Sequence, residues 1–143
     1  MISRIVVVDN GSTDETARIA AAYGAHVVYE PIRGYGRACL AGLSALRDNP
    51  PDIVAFVDAD GSDELACLPV LIKPVAENEQ DFVLGERIPV HRKALSFQQQ
   101  FGHFLATGLI NLFWKYRYHD LGPMRVITWT SLEQLAMVDQ DFG

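Results

Sequence analysis

Neither a long apolar run nor a surplus of positive charge occurs in this sequence of 143 residues. No stretch reaches the roughly 18 apolar residues that a helix needs to span a bilayer, and no signal peptide is expected at the start. Lysine and arginine number 12 against 18 acidic residues, a net charge of −6. A general nucleic-acid-binding role, which needs a basic face, is thereby excluded. Cysteine is scarce: Cys39 and Cys67 stand in apolar stretches read as helical, without ligand spacing. They are expected to be buried free thiols in a reducing compartment. Histidine offers no metal site either. His26 falls in a strand, His91 in a polar loop, and His103 and His119 bracket a long helical stretch, so no pair shares a helical face. Repeats, low-complexity tracts and linkers are missing too. The composition, 49% hydrophobic and 21% charged, is that of one globular domain over 1–143.

The stretch around which the rest is organised is Ile53-Val54-Ala55-Phe56-Val57-Asp58-Ala59-Asp60-Gly61-Ser62. A short unbroken apolar run reads as a strand buried on both faces, as in the middle of a parallel sheet. Asp58 and Asp60 then fall where the strand leaves the sheet, the edge at which open α/β sheets bind ligands. Two carboxylates this close repel unless a positive charge lies between them, and their oxygens suit Mg²⁺ or Mn²⁺. Turn chemistry offers the other reading, in which Asp58 caps the next helix and Asp60 faces solvent. A bound metal would also offset part of the net negative charge and present a positive centre to an anionic substrate.

A second apolar run, Arg4-Ile5-Val6-Val7-Val8, also ends in an acid, Asp9, followed by a turn at Asn10-Gly11. Ser12 and Glu15 have the spacing of a capping box, and Asp14 suits the start of a helix that runs to Gly24. Residues 25–29 read as the next strand, completing a β-α-β unit. Arg33-Gly34-Tyr35-Gly36-Arg37 is a glycine-bearing basic loop before a helix over 35–46. Glycine there would let backbone N–H groups approach an anion, with Arg33 and Arg37 adding charge; a plain loop-to-helix turn is the alternative. Pro69 and Pro74 shorten or kink the helix opened by Ser62-Asp63-Glu64. Residues 81–85 and 124–128 read as strands, 88–96 as a mobile loop, and 97–114 as a long helix apolar nearly all round. Such a helix is covered by protein or rests on a partner or membrane surface. Thr130 and Glu133 read as the capping box of a last helix.

These segments resemble family 2 glycosyltransferases. The resemblance lies in Val7-Val8-Asp9-Asn10-Gly11-Ser12-Thr13-Asp14, Arg33-Gly34-Tyr35-Gly36, Asp58-Ala59-Asp60-Gly61, Gly85-Glu86-Arg87 and Asp120-Leu121-Gly122-Pro123-Met124-Arg125. Their order and spacing are most like those of the polyprenol-phosphate branch, the dolichyl-phosphate mannose or glucose synthase type. The resemblance implies a GT-A fold: an α/β, doubly wound, mostly parallel sheet with helices on both faces. It also implies a nucleotide-sugar donor, UDP- or GDP-linked, and a divalent metal. By that resemblance Asp9 contacts the base or ribose, within a donor-binding turn that includes Gly11, Ser12 and Asp14, and Arg33, Gly34 and Arg37 join it. Asp58 lies near the ribose and sugar, Asp60 binds the metal, Arg87 and Arg125 hold phosphate, and Asp120 lines the sugar pocket. A polyprenyl phosphate acceptor follows, at the inner face of a membrane to which a cytoplasmic protein binds peripherally.

Two departures accompany the resemblance. The chain starts at what is the family's second strand, and it stops at Gly143 before the acceptor-side elements of its relatives. It is therefore expected to be an incomplete catalytic core, with an exposed sheet edge through which copies could pair. Two rival readings follow: a catalytically inactive glycosyltransferase-like nucleotide-binding or assembly subunit, and a haloacid-dehalogenase-type phosphatase. In the second, Asp58 would attack phosphorus and Asp60 would act as acid/base. That motif normally opens its chain, and no strand-borne acidic pair follows it here.

Overall fold

Val6-Val7-Val8-Asp9 forms β1 (Val6–Asp9), which pairs in parallel with β2 (His26–Tyr29), Val6 opposite His26 and Asp9 opposite Tyr29. The connection is α1 (Thr16–Ala22), so the β-α-β unit read from the sequence is present. We obtained these elements from a computed structural model, which describes residues 2–86 and 122–140. Those residues divide between two compact units. The first comprises Met1–Asp52 with Trp129–Gly143, and the second Ile53–Thr128.

In the first unit α1 starts three residues later than the Ser12–Glu15 capping box predicts. Asp9 accepts the Ser12 N–H at 2.8 Å, and Asp14 accepts the Thr16 N–H at 3.0 Å. Glu15 forms no capping bond and instead engages Arg18. Of the donors that the capping box would satisfy, the Ser12 N–H is taken by Asp9, while Asp14 serves the first residue of the observed helix. Helix α2 (Tyr35–Ser44) packs its small-residue face on β1: a Cβ added at Gly42 would lie 3.1 Å from Val8 Cγ2. Helix α4 (Trp129–Leu135) closes the unit, burying Leu132. It begins at Trp129, so Thr130 sits inside its first turn and not at the cap.

The second unit is built on an antiparallel core. Strand β3 (Ile53–Phe56) and strand β4 (Phe82–Leu84) flank β5 (Arg125–Thr128), and both run against it. The reading of the 53–57 run as a strand buried on both faces within a parallel sheet is thus corrected: β3 pairs antiparallel at one side of β5, with Ala55 exposed. Central position makes β5 the drier strand: Val126 is fully buried and Ile127 nearly so, whereas in β3 Val54 is buried and Ala55 exposed. Between β3 and β4 lie a short 3₁₀ turn (Leu65–Cys67) and α3 (Leu68–Ala76). Pro74 falls inside α3, where it removes one backbone donor, and the helix ends two residues later. Val75 of α3 completes the core with Met124. Cys67 is exposed, in contrast to the burial expected for it, because it lies at the surface end of the 3₁₀ turn; Cys39 is half-buried in α2. The long helix expected over 97–114 and the loop over 88–96 lie outside the described residues. Among the described residues, no helix is long and apolar enough to cross a membrane.

Candidate functional site

Two strand-end turns carry the acids singled out by sequence. In the first unit, β1 ends at Asp9 and turns through Gly11, whose φ of +86° suits glycine. The Ser12 N–H and hydroxyl, with help from the Gly11 N–H, hold the Asp9 carboxyl below the usual carboxylate range. Asp14 is lowered in the same way by the hydroxyl and N–H of Thr16. Both are anions at neutral pH, Asp9 half-buried and Asp14 exposed.

Asn10 joins this turn to the loop before α2. Its Nδ2 donates to the carbonyls of Glu30 at 2.9 Å and Ile32 at 2.8 Å, and its Oδ1 accepts the Gly34 N–H at 2.8 Å. Arg33 extends over the turn, its Nη2 donating to the Gly11 carbonyl at 3.4 Å. Asp9, Gly11, Ser12, Arg33 and Gly34 are thus brought to one locality, with Arg37 one turn into α2. The expectation that this loop presents open amides is corrected in two places. The Gly34 N–H is taken by Asn10, and the Arg37 N–H donates to the Gln140 carbonyl at 3.0 Å. Gly34 itself is required by space, since a Cβ there would lie 2.7 Å from the Gln140 oxygen.

In the second unit Asp58 and Asp60 follow the end of β3 at Phe56, as the apolar run predicts. The Asp58 N–H donates to Asp63 Oδ2 at 3.1 Å, and Asp60 Oδ1 accepts the Ser62 N–H at 2.8 Å. Hydrogen bonding from the Ser62 hydroxyl and N–H keeps Asp60 below the usual carboxylate range, an exposed anion at neutral pH. Asp58 is not the helix cap of the alternative reading. That role falls to Glu64, whose Oε1 accepts the Ala66 N–H at 3.3 Å.

Arg125 opens β5 opposite Phe56, so it stands at the end of the sheet from which the chain leaves toward Asp58. The Gly85 N–H donates to the Met124 carbonyl at 2.8 Å, which brings the Gly85-Glu86 and Gly122-Pro123-Met124 segments together. Arg87 and Asp120 lie outside the described residues.

Among the described residues, no three His, Cys, Asp or Glu side chains converge as a metal cage. The carboxylates of Asp58 and Asp60 are the hard oxygen donors that an ion of the Mg²⁺ type takes, one or two from the protein with substrate phosphates supplying more. Sequence reasoning missed Asn10, read only as a turn former, and Asp63. An Asn before Gly signals a turn, but its partners are 20 to 24 residues away, a distance no local pattern encodes.

A mixed α/β fold with acids at strand ends defines a class of ligand-binding α/β domains, and comparison narrows it. The chain matches the model of Glycosyl transferase family 2 over residues 2–131, and it belongs to that family. It is 39% identical over 140 residues to an uncharacterized glycosyltransferase of Mycobacterium tuberculosis, covering 98% of this chain and 62% of that relative. To the low-salt glycan biosynthesis hexosyltransferase of Haloferax volcanii it is 32% identical over 119 residues, 76% of this chain and 26% of that one. Among solved structures, it is similar to glucosyl-3-phosphoglycerate synthase from M. tuberculosis in complex with Mn²⁺, UDP-glucose and phosphoglyceric acid. The TM-score is 0.65 at 25% identity, over 89% of this chain and 46% of that one. The GT-A fold expected from the resemblance is the fold present. The chain spans 62% of the length of its mycobacterial relative.

Proposed function

We propose that this chain is the donor-binding part of a metal-dependent hexosyltransferase that moves a sugar from a UDP- or GDP-sugar to an acceptor. The observation that carries it is the Asp58–Asp60 turn at the end of β3, with Asp60 exposed and held ionised by Ser62. Asp60, with Asp58 beside it, would hold Mg²⁺ or Mn²⁺. When bound, the metal would neutralise charge that develops on the leaving diphosphate. Asp9, with Gly11, Ser12 and Asp14, would receive the base and ribose. Arg33, Arg37 and Arg125 add positive charge for phosphate, with Arg87 assigned the same role, and Asp120 lines the sugar pocket. Preorganised positive groups act best where negative charge grows in the transition state.

Within this reading the acceptor is a polyprenyl phosphate, met at the inner face of a membrane by a peripheral cytoplasmic protein. A phosphate acceptor is already ionised at neutral pH, so no strong general base is required. Copies of the chain would associate through an open strand edge. The inactive binding subunit is the second reading: it binds nucleotide without turnover.

Calorimetric titration of UDP and GDP, with and without Mn²⁺, tests the donor site. Metal-dependent binding should appear with the wild type and weaken by about a hundredfold in Asp60→Asn, which removes one of the few charges holding the ion. Equal binding in the variant, or none in a folded wild type, refutes the assignment. Hexose transfer to polyprenyl phosphate, with phosphoglyceric acid as the competing acceptor, then decides the acceptor class.

A further inference from the structure

The side chain of Asn10 makes three hydrogen bonds to main-chain groups of the first unit. Both Nδ2 protons go to main-chain carbonyls, those of Glu30 and Ile32, and Oδ1 takes the N–H of Gly34. Three alternate residues of one loop are thus gathered on one carboxamide, across 20, 22 and 24 residues of sequence. The loop is braced further from within. The Glu30 N–H closes the β1–β2 ladder on the Asp9 carbonyl at 2.9 Å, and Glu30 Oε1 accepts the Ile32 N–H at 2.9 Å. Arg33, lying between the two clamped residues Ile32 and Gly34, is brought over the Gly11 carbonyl. A loop at a sheet edge would otherwise sample many conformations, and an arginine on it would meet a phosphate only part of the time.

We propose that Asn10 is a positioning residue that locks the loop carrying Arg33 to the Asp9 turn, so that Arg33 and Asp9 meet a nucleotide diphosphate as one preorganised wall. The proposal rests on the donor-binding reading given above. Asn10 acts through Arg33, and its chemistry suits the task because no other side chain of that length offers two donors and an acceptor in one plane. Fixing a binding loop in its bound geometry raises affinity by removing the cost of ordering it.

The test is a double-mutant cycle between Asn10→Ala and Arg33→Ala, read by the affinity for UDP or GDP with Mn²⁺ and by hydrogen exchange of the Gly34 amide without ligand. With Arg33 present, Asn10→Ala should weaken nucleotide binding by about ten- to a hundredfold, the range in which small misplacements of binding groups act. With Arg33→Ala, the same change should cost less than about threefold, because coupled residues are not additive. The Gly34 amide should exchange faster in Asn10→Ala while circular dichroism stays native. If that variant does not fold, Asn10→Asp removes the two donors, keeps the acceptor for Gly34 and adds a negative charge. It should keep Gly34 protected and still weaken nucleotide binding. Equal losses in both Arg33 backgrounds, or Gly34 exchange in Asn10→Ala unchanged from that of a wild type that binds nucleotide, overturn the proposal. A folded wild type that binds neither nucleotide overturns the donor reading, and the donor role of Asn10 with it.

Discussion

The two units hold their shape by different means. Among the described residues, the buried hydrophobic side chains of the second unit are Val54, Val75, Met124, Val126 and Ile127, whereas in the first unit Leu132 has that status alone. The first unit relies instead on polar ties across its loops: Asn10 to residues 30–34, Arg33 to Gly11, and the Arg37 amide to Gln140. The difference teaches where each acid gets its order. Asp9 sits in a turn fastened to a second loop, while the two bonds described at the Asp58–Asp60 turn span five and two residues. The second turn therefore follows a strand paired to the dry β5, and a hydrogen-bonded neighbouring loop supports the first. Burial is non-directional and tolerates small shifts; hydrogen bonds are directional and do not.

Val126→Ala should break the second unit most. Val126 is 0% exposed at the centre of β5, and truncating a side chain so enclosed should cost about 2–3 kcal/mol in denaturant unfolding. Hydrogen exchange should quicken in β3, β4 and β5 first. Gly34→Ala should do the converse. Its Cβ would meet the Gln140 carbonyl at 2.7 Å in a backbone with φ +155°, a clash and strain worth about 1–3 kcal/mol. Exchange should then quicken around α2 and the Asp9 turn. If both variants loosen both units alike, the division of labour between core and polar ties is wrong.

Much of this was readable in the sequence for a physical reason. Apolar runs of four or five residues ending in an acid mark strands that leave a sheet, and all five expected strands are present, within a residue or two at their ends. Pro69, Pro74 and the small face of α2 likewise act through local sterics. The direction of β5 and its place between β3 and β4 were not legible, because pairing partners are set by tertiary contact and not by the pattern along one strand. The first capping box fails for a related reason. The spacing of Ser12 and Glu15 was right, but Asp9 and Arg18 competed for their bonds. Family motifs located the acids, yet the residue that fastens their loop, Asn10, showed only its turn-forming half.

The smallest effect expected is an acid titration that treats the two turns differently. Asp9 and Asp60 both titrate below the usual carboxylate range, each held by a serine N–H and hydroxyl. A depressed native value means that the bonds contribute fully above the unfolded value, about 3.9 for Asp, and are lost as pH falls through the native values. Asp60 is exposed and Asp9 only half-buried, so the unfolding free energy should respond only slightly, and the amide resonances of Ser12 and Ser62 are the proper probes. Both should shift with midpoints under about 3.9; midpoints at or above it would mean that these bonds do not form in solution. The turns should then part company. Neutralising Asp9 leaves Asn10 intact, so the Gly34 amide should stay in place while Ser12 moves. Neutralising Asp60 releases its bond to Ser62, and Mn²⁺-dependent nucleotide binding should fall along the same curve as the Ser62 shift. A Gly34 amide that follows the Asp9 titration would show that the carboxylate, and not the Asn10 clamp, holds the first turn to its loop.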